Sequence, residues 1–149
     1  MSTLKPSKLR IGPGTFVGVS EEMIHELVHG FYAKVRTDPL LGPIFNRVIH
    51  DWDTHLTKMC DFWSSVMLMS GRFKGAPMPA HIRIAEISGP HFERWLQLFR
   101  LTAHEVCPPD AAALFIARAE MIAQSLQLGI AASRGELPPV RPAAASPGR

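Results

Sequence analysis

Residues 20–38, SEEMIHELVHGFYAKVRTD, decide the fold class. Ser20 suits a helix N-cap, and Glu21 and Glu22 suit the positive end of the helix dipole. Ile24, Leu27, Val28, Phe31 and Val35 then recur at the three-and-four spacing of one helical face. Asp38 precedes a proline, which disfavours helical backbone, so the helix is expected to stop there. The same stretch contains HELVH, residues 25–29, a match to the H-E-x-x-H pattern in which two histidines one turn apart hold zinc beside a glutamate base. At about 100° per residue, His25, His29, Glu22 and Arg36 fall on one side and the apolar residues on the other. The two histidines therefore face outward among charges. A zinc peptidase also needs a third protein ligand. Position 35, where an extended pattern would put a histidine, is valine, and no glutamate occurs between Glu26 and Glu86.

The rest of the chain repeats the helical reading. A second helix is expected over about residues 51–70, a short one near 80–87, another over about 90–106 with Pro90 in its first turn, and a last from Asp110 to about Leu128, with Gly129 as its stop. Between the first two, PLLGPIFN reads as an apolar corner. No segment shows strand alternation, so an all-α domain is predicted. With 149 residues, 46% apolar and 19% charged, one globular core is expected. The domain is placed at residues 20–132, between a basic, flexible segment 1–19 and a Pro/Ala/Arg-rich disordered tail 133–149.

The net charge of +3 resides in the two ends: Lys5, Lys8 and Arg10 stand without an acid in the first, and three arginines face only Glu136 in the last. The middle is mildly acidic, which argues against a nucleic-acid surface on the folded part. No apolar run approaches the roughly 18 residues of a membrane span, and the N-terminus lacks the apolar stretch of a secretory signal. Cys60 and Cys107 are too few for a disulfide framework and read as reduced thiols, so a cytoplasmic location is expected.

In WDTHLTKMCDFWSSVMLMS, residues 52–70, His55 falls on the apolar stripe with Trp52, Met59, Trp63 and Val66. A buried imidazole needs partners for its nitrogens, a need that core contacts and a functional role can both meet. Tyr32 lies at the edge of the first helix's apolar face, and Trp95 shares a stripe with Phe92, Leu96 and Phe99. His81 follows a loop rich in Gly and Pro and has Ile82 and Ile84 beside it, a suitable setting for a metal ligand. A lone inward histidine cannot make a structural zinc site, which takes four ligands. It can hold haem, because the porphyrin supplies four nitrogens of its own. Spacing alone does not decide between haem and ordinary core packing.

The strings FYAKVR (31–36), LGPIFN (41–46), H-x6-FW from His55 to Trp63, GAPMPAH (75–81) and HFERWLQLF (91–99), in this order and spacing, resemble group III of the truncated haemoglobins. The resemblance spans residues 20–132. It implies a shortened globin, a two-over-two helical sandwich around haem b. By position it makes His81 the proximal iron ligand and Phe45 the wedge on the porphyrin face. Tyr32, His55 and Trp95 become the polar distal set, and Trp63 packs along the haem edge. Met59, Phe62 and Ile122 are further lining by their apolar stripes. The stretch IRIAEISGP after His81 is poorer in proline than the family pattern, so a longer helix is expected there.

Such a bacterial protein would bind dioxygen, carbon monoxide, nitric oxide or peroxide, act as a monomer and draw electrons from a reductase. Its polar pocket suits peroxidase-like or nitric oxide dioxygenase chemistry better than oxygen transport. Two rival readings are a metal-dependent hydrolase built on HELVH and a haem-free helical sensor or interaction module.

Overall fold

The structure is a computed structural model and describes residues 12–74, 87–133 and 135. The described residues contain helices and no strands. Helix α1 spans Glu21–Thr37. Ser20 Oγ accepts from the Met23 amide at 3.1 Å, and Lys34 and Arg36 stand in the last turn, so both ends match the helix dipole. The chain reverses through residues 38–41 into α2, Gly42–Val48. The reversal is tight: a Cβ on Gly42 would lie 2.7 Å from the Arg36 carbonyl oxygen. The PLLGPIFN corner thus contains a short helix that its two prolines conceal in the sequence.

Helix α3, Trp52–Leu68, starts at Asp51, whose carboxylate accepts from the Thr54 amide (3.2 Å) and hydroxyl (2.6 Å). It ends on Met69, held in the left-handed region at φ 55°. Helix α4, Gly89–Val106, has Pro90 in its first turn, and His91 Nδ1 accepts from the Ser88 amide at 3.1 Å. Helix α5 runs Pro109–Ser133. It begins one residue before Asp110 and passes through Gly129, contrary to the stop expected there. The face that buries Ala119, Ala123 and Leu126 continues to Ile130, and that burial outweighs the cost of one helical glycine, roughly 1 kcal/mol. The short helix expected near 80–87 and the bulk of the tail lie outside the described residues.

Helix α1 packs on α3 and α4, and α4 packs along α5, giving two helix pairs crossed over one core. Phe99 and Phe115 fill its centre. Ala111, Ala112, Ala119 and Ala123 give α5 a small-residue face on which the larger side chains rest. At the α1–α4 crossing a Cβ on Gly30 would come within 3.3 Å of Thr102 Cγ2. A 3-10 turn, Pro13–Val17, docks on α3 and α5. Part of the segment expected to be flexible is thus packed: a Cβ on Gly12 would sit 2.3 Å from the Met67 carbonyl oxygen, so the turn's backbone lies directly on α3.

Two polar joints tie the elements together. The Asp38 carboxylate is buried and accepts from the Leu40 and Leu41 amides and from Arg94 Nε at 2.7 Å, linking the end of α1 to α4. Burial pushes this carboxyl up, but the Leu41 amide, Arg94 and the Leu40 amide together outweigh it and hold the group below its ordinary range. Beyond α3, Arg72 bridges Glu21 (2.7 Å) and Asp61 (3.3 Å), while the fully buried Ser64 donates to Glu21 at 2.8 Å. No described helix is long and apolar enough to cross a membrane.

Candidate functional site

Helix α1 turns two opposite faces to its surroundings. His25, Glu26 and His29 are exposed, and the two imidazoles stack at 4.0 Å. The His29 pKa is lowered, first by partial burial and then by His25, as two stacked imidazoles disfavour a second charge. Among the described residues no group of three metal-ligating side chains assembles here or elsewhere. The histidines and glutamate of HELVH thus stand on an outward helical face, as their angular positions predict, while Leu27 and Val28 are buried.

The opposite face carries Phe31 and Tyr32, both buried. Helix α3 brings His55 against Tyr32, ring to edge at 5.0 Å, with His55 Nε2 shielded from solvent. Burial raises the Tyr32 phenol far above its ordinary value, so the O–H stays protonated and remains a donor. Phe45 of α2 stands 6.5 Å from Tyr32 and lines a mostly apolar cleft with Leu41, Ile87, His91, Phe92 and Trp95. Trp95 of α4 meets Phe31 edge-on at 5.3 Å and stacks on Phe99 at 5.7 Å. Phe31, itself 4.8 Å from Tyr32, thus stands between the tyrosine and Trp95.

Across Leu126 a second cleft of about 350 Å³ opens between α3 and α5. It is lined by Phe62 and Val66 on one side and by Met121, Ile122 and Leu126 on the other, with Arg118 and Ser125 among them. Of the residues singled out from the sequence, Phe62 and Ile122 meet in this cleft, and Phe45 and Trp95 meet in the other. Met59 is half-buried against the core. Trp63 points into the core instead, stacked on Phe99 at 5.3 Å and close to Phe115. His81 lies outside the described residues. The described chain before it places Phe73 on Phe62 at 5.3 Å, and the chain after it places Ile87 in the Phe45 cleft.

The walls suit a flat, apolar group with an anionic edge. Aromatic and aliphatic side chains dominate both clefts, and Arg118 adds a cation to the second. Buried donors stand on the α1 and α3 side.

No known family profile matches the chain. It is 34% identical over 116 residues to the group 3 truncated hemoglobin of Campylobacter jejuni, spanning 75% of this chain and 91% of that protein. The crystal structure of a group III truncated hemoglobin from the same organism superposes with a TM-score of 0.71, covering 74% of this chain and 90% of the other at 34% identity. The chain belongs to the group III truncated haemoglobins. The two crossed helix pairs of this truncated haemoglobin are accordingly a shortened globin sandwich.

Trp52 and Arg36 were not singled out from the sequence as site residues. Trp52 sits 5.5 Å from His55 and 5.8 Å from Tyr32, and the Arg36 guanidinium lies 4.6 Å over its ring. Trp52 shares His55's stripe in the sequence, a usable signal. Arg36 falls on the outward face with His25, and nothing local says that it covers an indole from another helix.

Proposed function

We propose that this truncated haemoglobin binds haem b between α3, α4 and α5 through His81, with Phe45, Met59, Phe62, Trp63 and Ile122 packing around it. Tyr32, His55 and Trp95 are its distal donors. The contact between Tyr32, whose phenol burial keeps protonated, and His55 carries this reading, because it sets two hydrogen-bonding side chains together beside the apolar residue Phe45. When bound, haem supplies an iron with an open position for dioxygen, nitric oxide or carbon monoxide. A bound ligand that gains negative charge would find donors in the Tyr32 hydroxyl, an imidazole N–H of His55 and the Trp95 indole N–H. Donors held in a water-poor site stabilise that charge without reorganising.

Strong retention suits redox chemistry on dioxygen, peroxide or nitric oxide, with a reductase as electron source, more than it suits transport. Wild-type protein supplied with haem should show an intense Soret band that His81→Ala shifts or abolishes. Dioxygen release should quicken about tenfold for Tyr32→Phe and for Trp95→Phe, the factor that follows from one lost hydrogen bond of ~1.4 kcal/mol. A wild type without a Soret band, or one indifferent to His81→Ala, overturns the assignment.

A further inference from the structure

The Arg36–Trp52 pair sits where solvent meets the distal residues. On α1, Tyr32 and Arg36 are one turn apart. On α3, Trp52 and His55 are one turn apart. The two pairs face each other across the α1–α3 seam. Tyr32, His55 and Trp52 make a closed triangle of ring contacts at 5.0, 5.5 and 5.8 Å. Burial grades outward through this group: Tyr32 is buried, Trp52 and His55 are half-buried, and Arg36 is exposed. The backbone carbonyl of Arg36 accepts from Asn46 Nδ2 at 3.0 Å, which ties this end of α1 to α2. The Arg36 guanidinium lies 4.6 Å over the Trp52 indole, an electrostatic contact that favours this placement of the ring.

From this geometry we infer that Trp52, clamped by Arg36, is a positioning residue for His55 and governs how fast a diatomic ligand reaches the Tyr32–His55 pair through the α1–α3 seam. The inference rests on the haem-binding function proposed above. The indole occupies the solvent side of the seam, so a ligand entering there must displace it. A His55 ring swinging outward from Tyr32 would likewise meet the indole. Entry therefore has two barriers in series, and the outer one is set by a charge on the surface of α1.

The test uses the haem-loaded, reduced protein with carbon monoxide as the probe, followed by stopped flow and by rebinding after a laser flash. Trp52→Ala should raise the association rate about tenfold, the scale on which aromatic pair contacts act. Arg36→Ala should raise it about threefold, the scale of a surface cation–π contact. Arg36→Lys should retain most of the wild-type rate, and the Trp52→Ala, Arg36→Ala double variant should be no faster than Trp52→Ala alone, because Arg36 acts through the indole. In the diamagnetic carbonmonoxy form, the His55 ring protons should shift in Trp52→Ala and in Arg36→Ala, as a ring-current neighbour is lost or released.

Unchanged association rates in both variants overturn the inference and place ligand entry elsewhere, such as the α3–α5 cleft. Unmoved His55 signals overturn the positioning role. Should Trp52→Ala fail to hold haem, Trp52→Leu and the surface variant Arg36→Ala decide the matter. A wild type with no Soret band is a different failure, that of the haem assignment itself.

Discussion

The two sides of α1 make an instructive pair. The outer side carries HELVH, a string that in other helices binds zinc, and the inner side carries Phe31 and Tyr32, which match no catalytic pattern. Yet the outer histidines stack on each other at the exposed surface, while the inner residues meet α2, α3 and α4. Spacing is the same one-turn arithmetic on both sides. What differs is what stands opposite. A metal site or a donor pocket needs groups of the right chemistry converging from other elements, and the inner side brings His55 and Trp95 towards Phe31 and Tyr32.

The largest test of this contrast is Phe31→Ala. Its ring touches Tyr32, Trp95 and Phe99, so truncation should cost ~3–5 kcal/mol in chemical denaturation, the usual range for a buried phenylalanine. A loss under about 1 kcal/mol would mean that the inner face is not the core it appears from its burial. Tyr32 offers a sharper probe, because it is the chain's single tyrosine. Burial raises its folded pKa well above the ordinary phenol value of 10.0. The neutral phenol therefore adds stability that is fully present below pH 10 and lost as pH rises through the folded value. Difference absorbance at the tyrosinate band should stay flat through pH 10 in the folded protein and rise there once it is unfolded. A folded-state rise at pH 10 would place Tyr32 in water. The smallest effect belongs to the outer side: replacing both His25 and His29 with Ala should alter stability by less than about 0.5 kcal/mol and leave haem content unchanged. Loss of haem or of a bound metal in that variant would reverse the comparison.

Local signals made much of this legible. Ser20 caps α1 and Asp38 ends it, because capping chemistry is decided within a few residues. The placement of Tyr32 and His55 on facing stripes was legible for the same reason. What escaped depends on partners far along the chain. Asp38 reads as a helix stop, and only the fold shows it holding Arg94. The prolines of PLLGPIFN hid α2, and Gly129 falsely ended α5, because tertiary burial at Ile130 outweighs a local glycine penalty. The 3-10 turn at Pro13–Val17 carries no periodic apolar pattern, and it exists through backbone contact with α3.

Met69, which closes α3 in a left-handed conformation, has a bearing on the chain's evolutionary latitude. Glycine would occupy that position freely, whereas a side chain there costs on the order of 1 kcal/mol. The position therefore leaves the chain an improvement to find: Met69→Gly should relieve up to about 1 kcal/mol of strain at the end of α3, less what a more flexible unfolded chain takes back.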